Sequence, residues 1–91
     1  MSPLKNTNTE SLVSAFLSLK TPEECEAFFE DLFSPAEIRS ITQRMEVAKL
    51  LANGETFTEI EKLTGASSAT IARISRCLTH GSGYKTVLSR I

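Results

Sequence analysis

Residues 56–78, TFTEIEKLTGASSATIARISRCL, read as two short helices joined by a glycine turn, the pattern of a helix-turn-helix. Thr56 followed three positions later by Glu59 forms a T-x-x-E capping box, which starts the first helix. Ile60 and Leu63 are expected to give that helix its apolar side, and Gly65 falls where a left-handed residue would stop it. Ser67, or Ser68 beside it, suits the cap of the second helix. There Ile71, Ile74 and Leu78 recur at spacings of three and four and form one buried stripe. At about 100° per residue, Ala69, Arg73 and Arg76 point away from that stripe. An outward face of two arginines, small residues and hydroxyls suits base edges and phosphates in a DNA major groove.

Working outward, the pattern is helical along the whole chain, and the spacing predicts six short helices. Residues 1–7 are polar, contain Pro3 and read as loose. A first helix is expected over about Glu10–Leu19, with Leu12, Phe16 and Leu19 on one side. Thr21-Pro22-Glu23-Glu24 supplies a cap, a proline at the first helical position and acids at the positive end of the dipole. That second helix carries Phe28, Phe29 and Leu32. Ser34-Pro35-Ala36-Glu37 repeats the logic and opens a longer helix to about Ala52, with Ile38, Ile41, Met45, Ala48 and Leu51 or Ala52 as its apolar positions; Asn53-Gly54 ends it. Gly81-Ser82-Gly83 breaks the chain after the motif, and Tyr84–Ile91 forms a last helix or turn. The expected organisation is a single domain over residues 1–91: dimerisation helices at 9–54, the helix-turn-helix at 56–79, and a C-terminal helix at 82–91.

The 91 residues carry a net charge of −1, but unevenly. Residues 1–54 hold five bases against eight acids, net −3; residues 55–91 hold five bases against three acids, net +2, and nothing beyond Glu61 is acidic. The basic field therefore sits where the motif sits, modest enough to imply salt-sensitive affinity. Cys25 and Cys77 have no partners at metal-ligand spacing and read as small, partly buried hydrophobes, so no metal and no cofactor is expected. His80, close behind the second helix, suits capping or solvent. No acid–base pair, activated nucleophile or phosphate loop is present, and Gly81-Ser82-Gly83 follows no strand, so catalysis is not expected. The first twenty residues lack the continuous apolar core of a secretory signal, and no apolar run approaches the roughly 20 residues of a membrane span; a cytoplasmic location is the default.

The run Gly65-Ala66-Ser67-Ser68-Ala69-Thr70-Ile71-Ala72-Arg73, with Val47-Ala48-Lys49-Leu50-Leu51 before it, resembles the tryptophan repressor superfamily. Gln43-Arg44, Ile60 through Ser67, and Gly81 through Tyr84 are similar to its smaller members of the YerC/YecD type. The resemblance implies an all-α, intertwined homodimer whose two recognition helices enter successive major grooves of double-stranded DNA, about 34–36 Å apart. It further implies that Ser67, Ser68, Ala69, Thr70, Ala72 and Arg73 face DNA, with Arg76 and Lys62 as phosphate contacts. Recognition through bridging water and DNA shape is expected, since few of these side chains are long readers. For a small-molecule effector it implies Gln43, Arg44 and Arg73; two arginines flank the ligand ring in the tryptophan repressor, and Arg73 matches one of them. Gln43 stands at the other, and Ile74 stands where the repressor has glycine, which disfavours L-tryptophan and favours another effector or none. The function expected is a dimeric, sequence-specific transcriptional regulator, in the repressor sense. The alternative is a helix-turn-helix interaction module within a larger transcription or replication assembly.

Overall fold

The computed structural model describes residues 8–91, so the expectation for residues 1–7 lies outside it. Six helices follow one another: α1 Glu10–Ser18, α2 Pro22–Leu32, α3 Pro35–Ala52, α4 Phe57–Thr64, α5 Ser68–His80 and α6 Gly83–Leu88. No strand occurs among the described residues. The chain forms two compact units, one ending at Ser34 and one spanning Pro35–Ile91.

The first unit is a phenylalanine-rich helical pair. Thr21 starts α2 by accepting the Glu24 amide at 3.1 Å, with Pro22 pre-set for the first turn. The Lys20 amide returns a bond to the Glu24 carboxylate at 2.8 Å, which completes a capping arrangement. Phe16 of α1 meets Phe28 edge-on at 5.8 Å and Phe29 at 6.0 Å between ring centres. None of the described residues of this unit is fully buried, and Leu17 stands 81% exposed. Leu12, Val13, Phe16 and Leu32 are exposed as well.

The second unit has a core. Val47, Ala48, Ile60, Ala66, Ile71 and Ile74 are buried, with Leu50, Leu51, Leu78, Tyr84 and Leu88 packed around them. α3 lies against both α4 and α5, and α6 folds back onto α5. Helix ends are closed by backbone geometry. Gly54, at φ 86°, donates to the Leu51 carbonyl and Glu55 to that of Leu50, both at 3.0 Å, which is the Schellman pattern. After α5 the chain turns at Gly81, where a Cβ would sit 2.8 Å from the Cys77 carbonyl oxygen.

Three expectations about packing are corrected here. Leu63, expected on the apolar side of α4 with Ile60, is 61% exposed at the rim of an open groove, and Ile60 is the residue of α4 that is buried. On α3, Ile41 and Ala52 are exposed, whereas Val47, outside the predicted stripe, is buried. At about 100° per residue Val47 lies nearly opposite Ile38 and Met45, so the core takes Ala48 from the predicted stripe and Val47 from outside it. Cys77 is exposed rather than partly buried; it lies beside Arg73 on α5, off the Ile71–Ile74–Leu78 stripe.

Candidate nucleic-acid interface

α4 and α5 form the helix-turn-helix that the sequence implies, and its turn is held by a set of short-range hydrogen bonds. Thr56 caps α4 by accepting the Glu59 amide at 3.2 Å. Gly65 stops α4 at φ 73° and donates to the Glu61 carbonyl at 2.9 Å, a single-bond left-handed cap that favours glycine. The Thr64 hydroxyl donates to the Ile60 carbonyl at 2.7 Å and accepts the Ala66 amide at 3.1 Å. Ala66 is buried against the core, which fixes where the chain leaves the turn. Among the described residues no buried side-chain nitrogen or oxygen lacks a partner.

Ser67, not Ser68, is the cap of α5. Its oxygen accepts the Thr70 amide at 3.2 Å, and its hydroxyl donates to Thr70 Oγ1 at 3.1 Å. Loss of the cap in Ser67→Ala is expected to cost roughly 1 kcal/mol, seen as a fall of several degrees in the thermal midpoint. An unchanged midpoint would mean that the first turn of α5 is held by packing alone.

The exposed side of α5 forms as its spacing implies. Ile71 and Ile74 are buried and Leu78 partly so, while Ala69, Arg73 and Arg76 are exposed on the opposite face. Ser67 and Ser68 are exposed at its start, and Thr70 and Ala72 are half-buried at its edges. Among the described residues neither Arg73 nor Arg76 is held in an ion pair, so both guanidinium groups are available to an anion. Lys62 is exposed in the last turn of α4, a different helix from the arginines. His80 closes α5 on the arginine face; the spacing from Ala69 through Arg73 and Arg76 already carried that signal.

The three effector candidates are not gathered at one place. Gln43 lines an open groove of about 600 Å³ with Ile38, Thr42, Glu46, Leu63 and Thr64, among others, and neither Arg44 nor Arg73 borders it. The Gln43 amide donates to the Thr64 carbonyl at 3.1 Å, a contact that nothing local in the sequence signals. Arg44 is exposed on α3 and Arg73 on α5. Ile74, in place of a small residue, fills the core. Among the described residues no group of acids, histidines and cysteines could hold a metal ion, and no helix is long and apolar enough to cross a membrane.

Residues 7–91 match the family model described as Trp repressor protein. The chain is 46% identical over 89 residues to the "Uncharacterized protein YerC" of Bacillus subtilis (strain 168), a match covering 97% of this chain and 86% of that protein. It superposes on the crystal structure of a TrpR like protein from Eubacterium eligens with a TM-score of 0.88 and 46% identity, covering 96% of this chain and 91% of that one. A solved structure from Staphylococcus aureus gives the same TM-score of 0.88 at 42% identity, covering 96% and 88% of the two chains.

Proposed function

The chain belongs to the Trp repressor protein family, a family of helix-turn-helix DNA-binding regulators, and on that premise we propose that it is a dimeric, sequence-specific transcriptional repressor reading the major groove with α5. One observation carries this: Arg73 and Arg76 stand exposed on the face of α5 opposite the Ile71–Ile74–Leu78 stripe that anchors it. A helix held by one face and armed with arginines on the other can be inserted without unfolding anything. Ser68, Ala69 and Ala72 are small enough to let the backbone approach the base edges, and Thr70 offers a hydroxyl. Arg76 and Lys62 serve the phosphates, and Ser67 holds the helix start.

The exposed apolar side chains of the first unit support pairing with a second copy. A helical pair with no fully buried residue among those described, and with Leu12, Val13, Phe16 and Leu17 exposed, is stabilised by a partner that covers it. Two-fold pairing places two copies of α5 for a two-fold DNA site. L-tryptophan is not proposed as an effector, because Gln43 is committed to Thr64 and Ile74 to the core.

In vitro selection of DNA bound by the full chain tests the proposal. The expected product is a palindromic site with half-sites about 10–10.5 base pairs apart, bound by a species that sediments as a dimer. Recovery of no enriched sequence would sink it.

A further inference from the structure

We propose that Gln43 is a positioning residue, which references the turn of the helix-turn-helix to α3 and so sets the pose in which α5 meets DNA. The proposal rests on the DNA-reading function above. The carbonyl of Thr64 is one of the last four of α4, which have no partner within the helix. Gln43 reaches it across 21 residues of sequence, and the bond is partly buried, where water competes poorly.

The other bonds of the turn are local. Thr64 to Ile60, Ala66 to Thr64 and Gly65 to Glu61 fix the shape of the turn, and none of them says where that shape sits on α3. The apolar contacts of Ile60, Ala66 and Ile71 pack the turn against α3 but carry no hydrogen-bond direction of their own. The Gln43 amide supplies the direction. Ser67 and the DNA-facing Ser68 and Ala69 follow Thr64 within five positions, so an error in the turn passes straight to the start of α5. Base contacts tolerate displacements of only about half an ångström. Phosphate contacts from long arginine and lysine side chains tolerate more. Loss of the Gln43 bond should therefore lower affinity for the specific site and leave non-specific DNA binding nearly intact.

The test compares Gln43→Met, which keeps the shape and removes the donor, with Gln43→Lys, which keeps a donor of similar reach. Two quantities are read in each: amide hydrogen exchange across Gly65–Thr70, and affinity for the selected site and for unrelated DNA at fixed salt. Gln43→Met is expected to exchange faster in the turn and to lose on the order of fivefold in specific affinity. Its non-specific affinity should stay within about twofold, since the phosphate contacts are untouched. Gln43→Lys should restore both the exchange and the ratio of specific to non-specific binding. Unaltered exchange in Gln43→Met overturns the proposal, as does an equal fall in both affinities. If the unmodified protein selects no DNA, the function proposed above fails, and the exchange measurement alone still decides whether Gln43 holds the turn.

Discussion

Arg73→Ala combined with Arg76→Ala should abolish specific DNA binding while leaving the fold and the oligomeric state unchanged. Both side chains are exposed on the side of α5 away from its core stripe, so truncating them removes no packing. Surface changes of that kind fall within about 0.5 kcal/mol of neutral for stability. For binding, each arginine is expected to contribute on the order of 1–3 kcal/mol if it reaches a guanine edge or a phosphate. The pair together therefore accounts for a loss on the order of a hundredfold or more. The salt dependence separates their roles. Losing a phosphate contact flattens the slope of log affinity against log salt by roughly 0.9, whereas losing a base contact relaxes the preferred sequence at one position. The measurements are fluorescence anisotropy on the selected site across a salt series, with circular dichroism and sedimentation as controls. Retained affinity in the double variant would remove α5 from the interface.

How much of this was visible in the sequence depended on how local the cause was. Thr21, Thr56, Ser67 and Gly65 act on backbone groups a few residues away, and each closes the helix end that its identity implies. The arginine face of α5 was legible for the same reason, since a single short helix carries both the stripe and its opposite. α3 was harder. A search for one apolar stripe finds Ala48 of the core along with Ile38, Ile41 and Met45, and misses Val47, which lies nearly opposite Ile38 and is fully buried. Leu63 illustrates the complementary failure, because hydrophobicity and spacing do not reveal whether any neighbour reaches a residue. The Gln43–Thr64 bond spans two elements and leaves no periodic signature at all.

Ile71→Ala should unfold much of what the Pro35–Ile91 unit contributes, and Leu63→Ala should scarcely register. Both changes remove a branched aliphatic side chain from the helix-turn-helix. Ile71 is 0% exposed and Leu63 is 61% exposed, and only the first leaves a cavity that its neighbours cannot fill. Removing a fully buried isoleucine costs on the order of 2–5 kcal/mol. A chain of this size is held by roughly 5–15 kcal/mol in all, so the variant loses a large fraction of it. The core has no spare capacity: Ile71 packs with Val47, Ala48, Ile60, Ala66 and Ile74, and these few side chains join α3, α4 and α5. At about 4–8 °C per kcal/mol, the thermal midpoint should fall by roughly 8 °C or more. Thermal and denaturant unfolding at several protein concentrations measure it, since a dimer is more stable when concentrated. Leu63→Ala is expected within about 0.5 kcal/mol of the parent. A Leu63→Ala cost matching that of Ile71→Ala would mean that a second copy covers the outer side of α4, which would extend the proposed dimer contact to the helix that precedes the recognition helix.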